Sequence, residues 1–332
     1  MPPLNPLTPA EIARRSTEIA PALHEHLDST PLVRFDALSD ELGVEVLVKC
    51  EFRQRTGSFK ARGSLAKAMT LTPQQRADGV VTASTGNHGL GVVNAMRALG
   101  GRAVVFVPAS ASTVKVDALR RLGVELHTHD ADAGVVEGIA RAYADEHGLI
   151  YLAPYNDPDV IAGQGTAGVE IVEQLEGRDV DALFVNVGGG GLMSGVASVV
   201  RHHLPGVRVY GASPRNDAAM IASVAAGKVI SVPTELTLSD GSAGNLEDGS
   251  ITVDLCAELV DEWVSVSEQE IAAELASIID TEHLLVEGAA GVAFAAARRH
   301  AAAHHGGRIV VLACGANIGS ATLAGALRLA AR

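Results

Sequence analysis

The segment Arg55-Thr56-Gly57-Ser58-Phe59-Lys60-Ala61-Arg62-Gly63 places a lysine where a helix should begin. Ser58 suits the N-cap, and Ala61, Leu65, Ala68 and Met69 then recur on one helical face. Lys60 therefore falls in the first turn, where the positive end of the helix dipole disfavours a second positive charge. An amine whose charged form is disfavoured has a lowered pKa and can act as a nucleophile or base. The chain has only five lysines, Lys49, Lys60, Lys67, Lys115 and Lys228, so few residues compete for that role. A solvated surface lysine is the plain alternative.

Three further segments stand where strands run into helices. Ser84-Thr85-Gly86-Asn87-His88-Gly89 gathers small residues, hydroxyls and an amide at a helix start, an arrangement that suits a carboxylate. An ordinary polar turn is its bland reading. Gly188-Gly189-Gly190-Gly191-Leu192 lets the backbone approach a phosphate closely, with several amides free to face it. A dinucleotide fingerprint needs G-x-G-x-x-G; here the frame runs Gly189, Gly191, Ser194, and the next strand ends at Gly211-Ala212-Ser213 without an acidic ribose partner. The loop thus suits a single phosphate. Ala313-Cys314-Gly315-Ala316-Asn317 is the fourth segment; a small core cysteine is the usual reading of Cys314. An amine, a carboxylate cradle, a phosphate cup and a polar strand-end group are what a pyridoxal phosphate site needs.

Such groups need strand ends to hold them. Strands are predicted at 44–49, 80–83, 103–107, 124–127, 182–187, 207–211 and 309–313, separated by Ala-rich stretches of helical period. Apolar strands alternating with helices imply an α/β chain with mostly parallel sheets covered on both faces. Residues 71–155 read as a small substrate-loop domain, and 1–70 with 156–332 as a large cofactor-binding domain. Ligands in such folds bind in the cleft beyond the strands' carboxyl ends.

The bulk numbers agree with a globular enzyme: 332 residues, 47% hydrophobic and 20% charged. A net charge of −13 and 3% aromatic content argue against nucleic acid and anionic membranes as partners. The three cysteines, Cys50, Cys256 and Cys314, are too sparse for a disulfide framework, and neither a signal peptide nor a spanning helix is expected. A cytoplasmic protein is the expectation.

Taken together, these segments resemble the fold-type II pyridoxal phosphate enzymes of the serine/threonine dehydratase and serine racemase family. The resemblance runs from about residue 25 to the end. It is carried by Ser58-Phe59-Lys60 with Arg62-Gly63, the 84–89 loop, Pro154-Tyr155-Asn156-Asp157-Pro158 and Ile161-Ala162-Gly163-Gln164-Gly165-Thr166. Thr30-Pro31-Leu32, the glycine run, Asp240-Gly241 and Cys314-Gly315 complete it. It implies a tryptophan synthase β-like fold, two doubly wound, mostly parallel sheets with the cofactor cleft between domains. It also implies a homodimer and an amino-acid substrate. By the same resemblance Lys60 carries the cofactor beside Phe59, Asn87 bonds its ring hydroxyl and Gly188 to Leu192 hold its phosphate. Cys314 faces its pyridine nitrogen, and Glu287 lies near the ring. Ser84, Thr85, Gly86 and His88 would hold the substrate carboxylate.

The implied reaction is a dehydration. Lys60, released by the incoming amine, takes the α-proton, the β-hydroxyl leaves as water, and a 2-oxo acid and ammonia result. A racemase on the same scaffold is the alternative, with the Thr85 hydroxyl serving the opposite face; a silent cofactor-binding protein is a more distant one. Two departures touch the family's metal site: Gly211-Ala212-Ser213-Pro214 has Ser213 in place of its Glu, and its later acidic ligand falls on Ala219. No metal is therefore expected. Arg53, Arg55 and Arg62 would suit an acidic substrate such as hydroxyaspartate, although each reads as a surface residue.

Overall fold

The computed structural model describes residues 7–84, 86–109, 111, 113–131 and 133–331. Its strands are β1 (Leu32–Arg34), β2 (Glu45–Cys50), β3 (Val80–Ala83), β4 (Ala103–Pro108), β5 (Glu125–His129), β6 (Ile150–Tyr151), β7 (Ala182–Asn186), β8 (Arg208–Pro214), β9 (Glu262–Val266) and β10 (Arg308–Ala313). They form a six-stranded sheet in the order β1-β2-β10-β7-β8-β9 and a four-stranded sheet in the order β5-β4-β3-β6. Every pairing is parallel except β1 with β2. The seven predicted strands are all present, with ends shifted by a residue or a few. Three strands were not foreseen, and each stands at an edge of its sheet: β1 has three residues, β6 has two, and β9 is half-buried.

The sheet interiors are dry on both faces. All five residues of β7 are buried, as are Ile309 to Ala313 of β10, because helices such as Pro158–Gln174, Gly191–His203 and Gly288–His300 cover them. The helix Lys60–Met69 directs Ala61, Leu65 and Ala68 into a cluster with Val80, Val92, Met96 and Leu152 beside the four-stranded sheet. Lys60 thus begins an element that packs toward one sheet from a segment pinned to the other. The pins are backbone bonds at the end of β10: Phe59 N–H to Cys314 O at 3.0 Å and Ala316 N–H to Gly57 O at 2.9 Å.

That pinning corrects the expected cap. Ser58 is drawn into a bridge with Gly315, its hydroxyl is buried without a partner, and Phe59 occupies the N-cap with no side-chain bond. The helix still starts at Lys60. Tertiary pairing has replaced local capping chemistry.

Candidate active site

Lys60 lies where two cavities meet. Its Nζ donates to the Pro154 carbonyl at 2.8 Å and sits 5.3 Å from the centre of the Phe59 ring. Burial pushes its pKa down from 10.5 to about 8, opposed by the nearby Cys314 and Glu287. The inner cavity is lined by Phe59, Asn186, Leu192, Cys314 and the four glycines. The outer, roomier chamber is lined by Ser84, Gly86, His88, Phe106, Pro108 and Val136. Lys60, Asn87, Gly241 and Glu287 border both.

The inner cavity is shaped by the turn after β7. Gly190 adopts φ +82° and caps the helix Gly191–His203. A Cβ on Gly188 would lie 2.5 Å from the Ser242 carbonyl, and one on Gly189 would lie 2.4 Å from the Tyr155 ring. The amides of Gly188 through Gly191 donate to no carbonyl among the described residues. Asn186 at the strand end is buried, and its Oδ1 also lacks a partner.

Behind Lys60 runs a chain of amides and one carboxylate. Glu287, 3% exposed, accepts from Asn87 Nδ2 at 2.9 Å and from the Asn317 N–H at 3.0 Å. Asn317 Nδ2 donates to Asn87 Oδ1 at 2.7 Å and to the Thr56 carbonyl at 2.8 Å. Both ends of the Asn87 amide are therefore engaged within the protein. Cys314 Sγ lies 3.9 Å from Glu287 Oε1, and burial together with that carboxylate pushes its thiol well up. The next helix begins only at Ser320, so the helix dipole does not reach Cys314 and the thiol stays neutral.

At the outer chamber, Gly86 caps the helix Asn87–Ala98, and the Ser84 hydroxyl accepts the Gly86 N–H at 3.2 Å. Thr85 lies outside the described residues. His88, expected beside the substrate carboxylate, lines the chamber with its ring held by the protein. Its ring is buried, Nε2 donates to the Leu152 carbonyl at 3.0 Å, and burial with the Lys60 charge pushes its pKa down to about 3. It is a neutral imidazole tied to the sheet.

Residues 23–315 match the family described as pyridoxal-phosphate dependent enzyme. The chain belongs to that family. It is 37% identical over 302 residues to the L-threonine ammonia-lyase of Geobacter sulfurreducens, covering 91% of this chain and 74% of that protein. Its fold matches the processed form of threonine deaminase isoform 2 from Solanum lycopersicum with a TM-score of 0.91 at 32% identity, covering 97% and 88% of the two chains. It matches maize serine racemase with a TM-score of 0.86 at 29% identity, covering 97% of each. The architecture is fold-type II, the cofactor is pyridoxal phosphate, and the chain is a lyase of that cofactor class.

The residues present fit this pyridoxal phosphate enzyme. Unpartnered amides at a helix start, in a cup that any side chain would fill, are what a phosphate requires. An accessible amine of lowered pKa borders the same cavity. The family's metal site does not fit. Ser213 turns its hydroxyl back to the Val187 carbonyl at 2.7 Å, and Ala219 has no donor.

Sequence reading missed three participants. Tyr155 walls the glycine cup and its hydroxyl accepts the Glu247 N–H at 2.8 Å; it stood unassigned inside a segment already singled out. Asn317 closed the fourth segment without a role, though a polar residue three places past Cys314 was visible. Arg62, read as a surface residue, is 0% exposed. Its chemistry-bearing type gave no sign that Glu51 and Glu170 would enclose it.

Proposed function

We propose that this lyase removes water from a β-hydroxy amino acid, threonine foremost, to give a 2-oxo acid and ammonia. The observation that carries the reading is Lys60. It is an amine of lowered pKa at the junction between a phosphate-shaped cup and a chamber closed by a carboxylate-type loop. The threonine ammonia-lyase and threonine deaminase likenesses support the same reaction class.

When bound, pyridoxal phosphate supplies an electron sink for negative charge developing at the substrate α-carbon. The rest falls to the chain. Gly188, Gly189, Gly190, Gly191 and Leu192 hold the phosphate through their amides. Cys314, its thiol neutral, would meet the pyridine nitrogen, and Phe59, Asn87 and Glu287 would hold the ring. Ser84, Thr85 and Gly86, with the His88 backbone, hold the substrate carboxylate. Lys60 anchors the cofactor, and its amine, once free, takes the α-proton; a pKa near working pH suits that transfer. The β-hydroxyl departs as water.

The likeness to maize serine racemase favours one second reading, inversion of the amino acid. Incubation with L-serine and L-threonine, measuring both 2-oxo acid and inverted amino acid, decides between them. Keto acid in excess is expected, and inverted amino acid in excess overturns the reading. We further propose residues 71–155 as a domain apart from 1–70 and 156–332. The four-stranded sheet, drawn wholly from within the first range, supports it. We propose a homodimer, supported by the resemblance to the family, and a cytoplasmic location, supported by three sparse cysteines. Among the described residues no helix is long and apolar enough to cross a membrane.

A further inference from the structure

A substrate held at Lys60 extends its side chain into the outer chamber, since the inner cavity is the phosphate side. The far wall of that chamber is hydrocarbon and is held rigidly. Phe106, 1% exposed, stands at the end of β4 with its ring stacked on His127 at 4.7 Å and His129 at 5.4 Å between centroids. Val136, 1% exposed, comes from the helix Ala133–His147 and packs against Phe106 and Val81 in one buried cluster. Pro108 completes the surface. The Ser84 N–H donates to the Phe106 carbonyl at 3.2 Å, so the wall adjoins the loop proposed to hold the carboxylate. A substituent on the β-carbon therefore meets apolar atoms that cannot easily shift.

The charged groups of the chamber point the same way. Asp240 and Glu287 line it, so a second substrate carboxylate would meet acids of its own sign. The arginines that sequence reading offered to an acidic substrate are placed elsewhere. Arg62 is sealed against Glu51 and Glu170, Arg55 lines a separate surface pocket with Arg97, and Arg53 lies over the Phe52 ring.

We propose that Phe106, Pro108 and Val136 form a specificity wall that selects a β-methyl, favouring threonine over serine, and that the chamber rejects β-carboxylate substrates such as hydroxyaspartate. The inference rests on the ammonia-lyase reading and adds which residues select the β-substituent and which substituent they reject. One methyl against an apolar surface discriminates by roughly 10- to 200-fold.

The holoenzyme is assayed with L-threonine, L-serine and β-hydroxyaspartate, and so is the isosteric variant Val136→Thr. The readout is the ratio of kcat/KM values within one preparation, which a partly unfolded sample leaves unchanged. Threonine should exceed serine by about tenfold or more, with hydroxyaspartate last. Val136→Thr should cut the threonine-to-serine ratio several-fold. Hydroxyaspartate equal to threonine, or a ratio unmoved by the substitution, overturns the proposal. Calorimetric binding of L-2-aminobutyrate against L-alanine separates this failure from failure of the reaction assignment. Those ligands differ only by the methyl and carry no leaving group. Tighter binding of 2-aminobutyrate, with the gap narrowed in Val136→Thr, upholds the wall even if no keto acid forms, and equal binding overturns it.

Discussion

Two cations of one short helix meet opposite fates. Arg62 is fully enclosed: its Nε reaches Glu51 at 2.7 Å, Nη1 reaches Glu170 at 2.6 Å, and Nη2 bonds both carboxylates at 2.9 and 2.8 Å. Lys49 joins from β2, donating to Glu170 at 2.6 Å and to the Thr30 carbonyl at 2.6 Å. Two positive and two negative groups close into a neutral, hydrogen-bonded cluster. Lys60, two residues earlier, donates to the Pro154 carbonyl, and the nearby Glu287 raises its pKa by less than burial lowers it. Burial alone would lower the pKa of either cation. Around Arg62 the carboxylates reverse that, whereas around Lys60 they do not. The fold supplies hydrogen-bonded counter-ions where charge must persist and only a weaker opposing charge where a neutral amine is needed.

The largest expected break comes at the amine itself. Lys60→Ala should lower turnover on the order of 10³-fold or more, since it removes both the cofactor anchor and the α-proton acceptor. Borohydride reduction and peptide mapping of the native enzyme should find the pyridoxyl group on Lys60. A label on Lys49 or on Lys67, which is paired with Asp157 at 2.7 Å, would dissolve the contrast.

Next in size is the sealed cation. Arg62→Met leaves Glu51 and Glu170 buried with too little positive charge, which should cost about 3–5 kcal/mol of stability. Denaturant unfolding of the cofactor-free protein measures it. Lys60→Met removes a buried charge that Glu287 offsets only in part and should be neutral or stabilising in the same assay. Equal losses for the two variants would show that the clusters are not different in kind.

Titration sharpens the comparison by sign. The folded pKa of Lys60 is near 8, against 10.5 when unfolded. Below about 8 both states carry the proton and the fold bears the full cost of the buried charge; as pH rises to 10.5 that cost is relieved. Cofactor-free protein should therefore gain stability across that window, and Lys60→Met should lose the gain. Glu170 runs the other way. Burial would raise its carboxyl, but Arg62 and Lys49 hold it well below 4.5, so its contribution is present above 4.5 and is lost in acid. A flat profile between 8 and 10.5 would count against the lowered amine.

How much of this was legible beforehand depended on whether the cause was local. Strands 80–83, 182–187 and 309–313 and the turns after them were readable because a short run of mostly apolar residues and the following glycines carry their own signal. The edge strand β6 was not, since two residues hold no period. Ser58 was misread because a bridge to Gly315, far along the chain, overrode its capping preference. Arg62 was misread because burial of a guanidinium depends on carboxylates at positions 51 and 170 that no spacing rule connects. Glycine geometry lies between these cases. Gly189 was legible as part of the cup, but the ring that forbids a side chain there belongs to Tyr155. Gly189→Ala should therefore weaken pyridoxal phosphate binding by about 1–3 kcal/mol through overpacking, read as a Kd, while Gly206→Ala, at an open position, leaves it unchanged.

The smallest effect is expected where the fold has given up charge altogether. Hard divalent cations need several oxygen ligands with carboxylates among them. At the end of β8 the family's first acidic position is Ser213, whose hydroxyl donates to the Val187 carbonyl at 2.7 Å and so braces the strand leading into the glycine cup. Asp217, four residues on, spends its carboxylate on the Gly244 N–H at 2.7 Å. Ala219 offers nothing. A neutral hydrogen bond braces the strand here. Treatment with a chelator should thus change turnover by less than about twofold. Ser213→Ala, which removes the brace, should weaken cofactor binding by about 1 kcal/mol. A large loss on chelation that magnesium or calcium restores would show that oxygens elsewhere along this turn rebuild the cation site, and that the third region handles charge as the Arg62 cluster does.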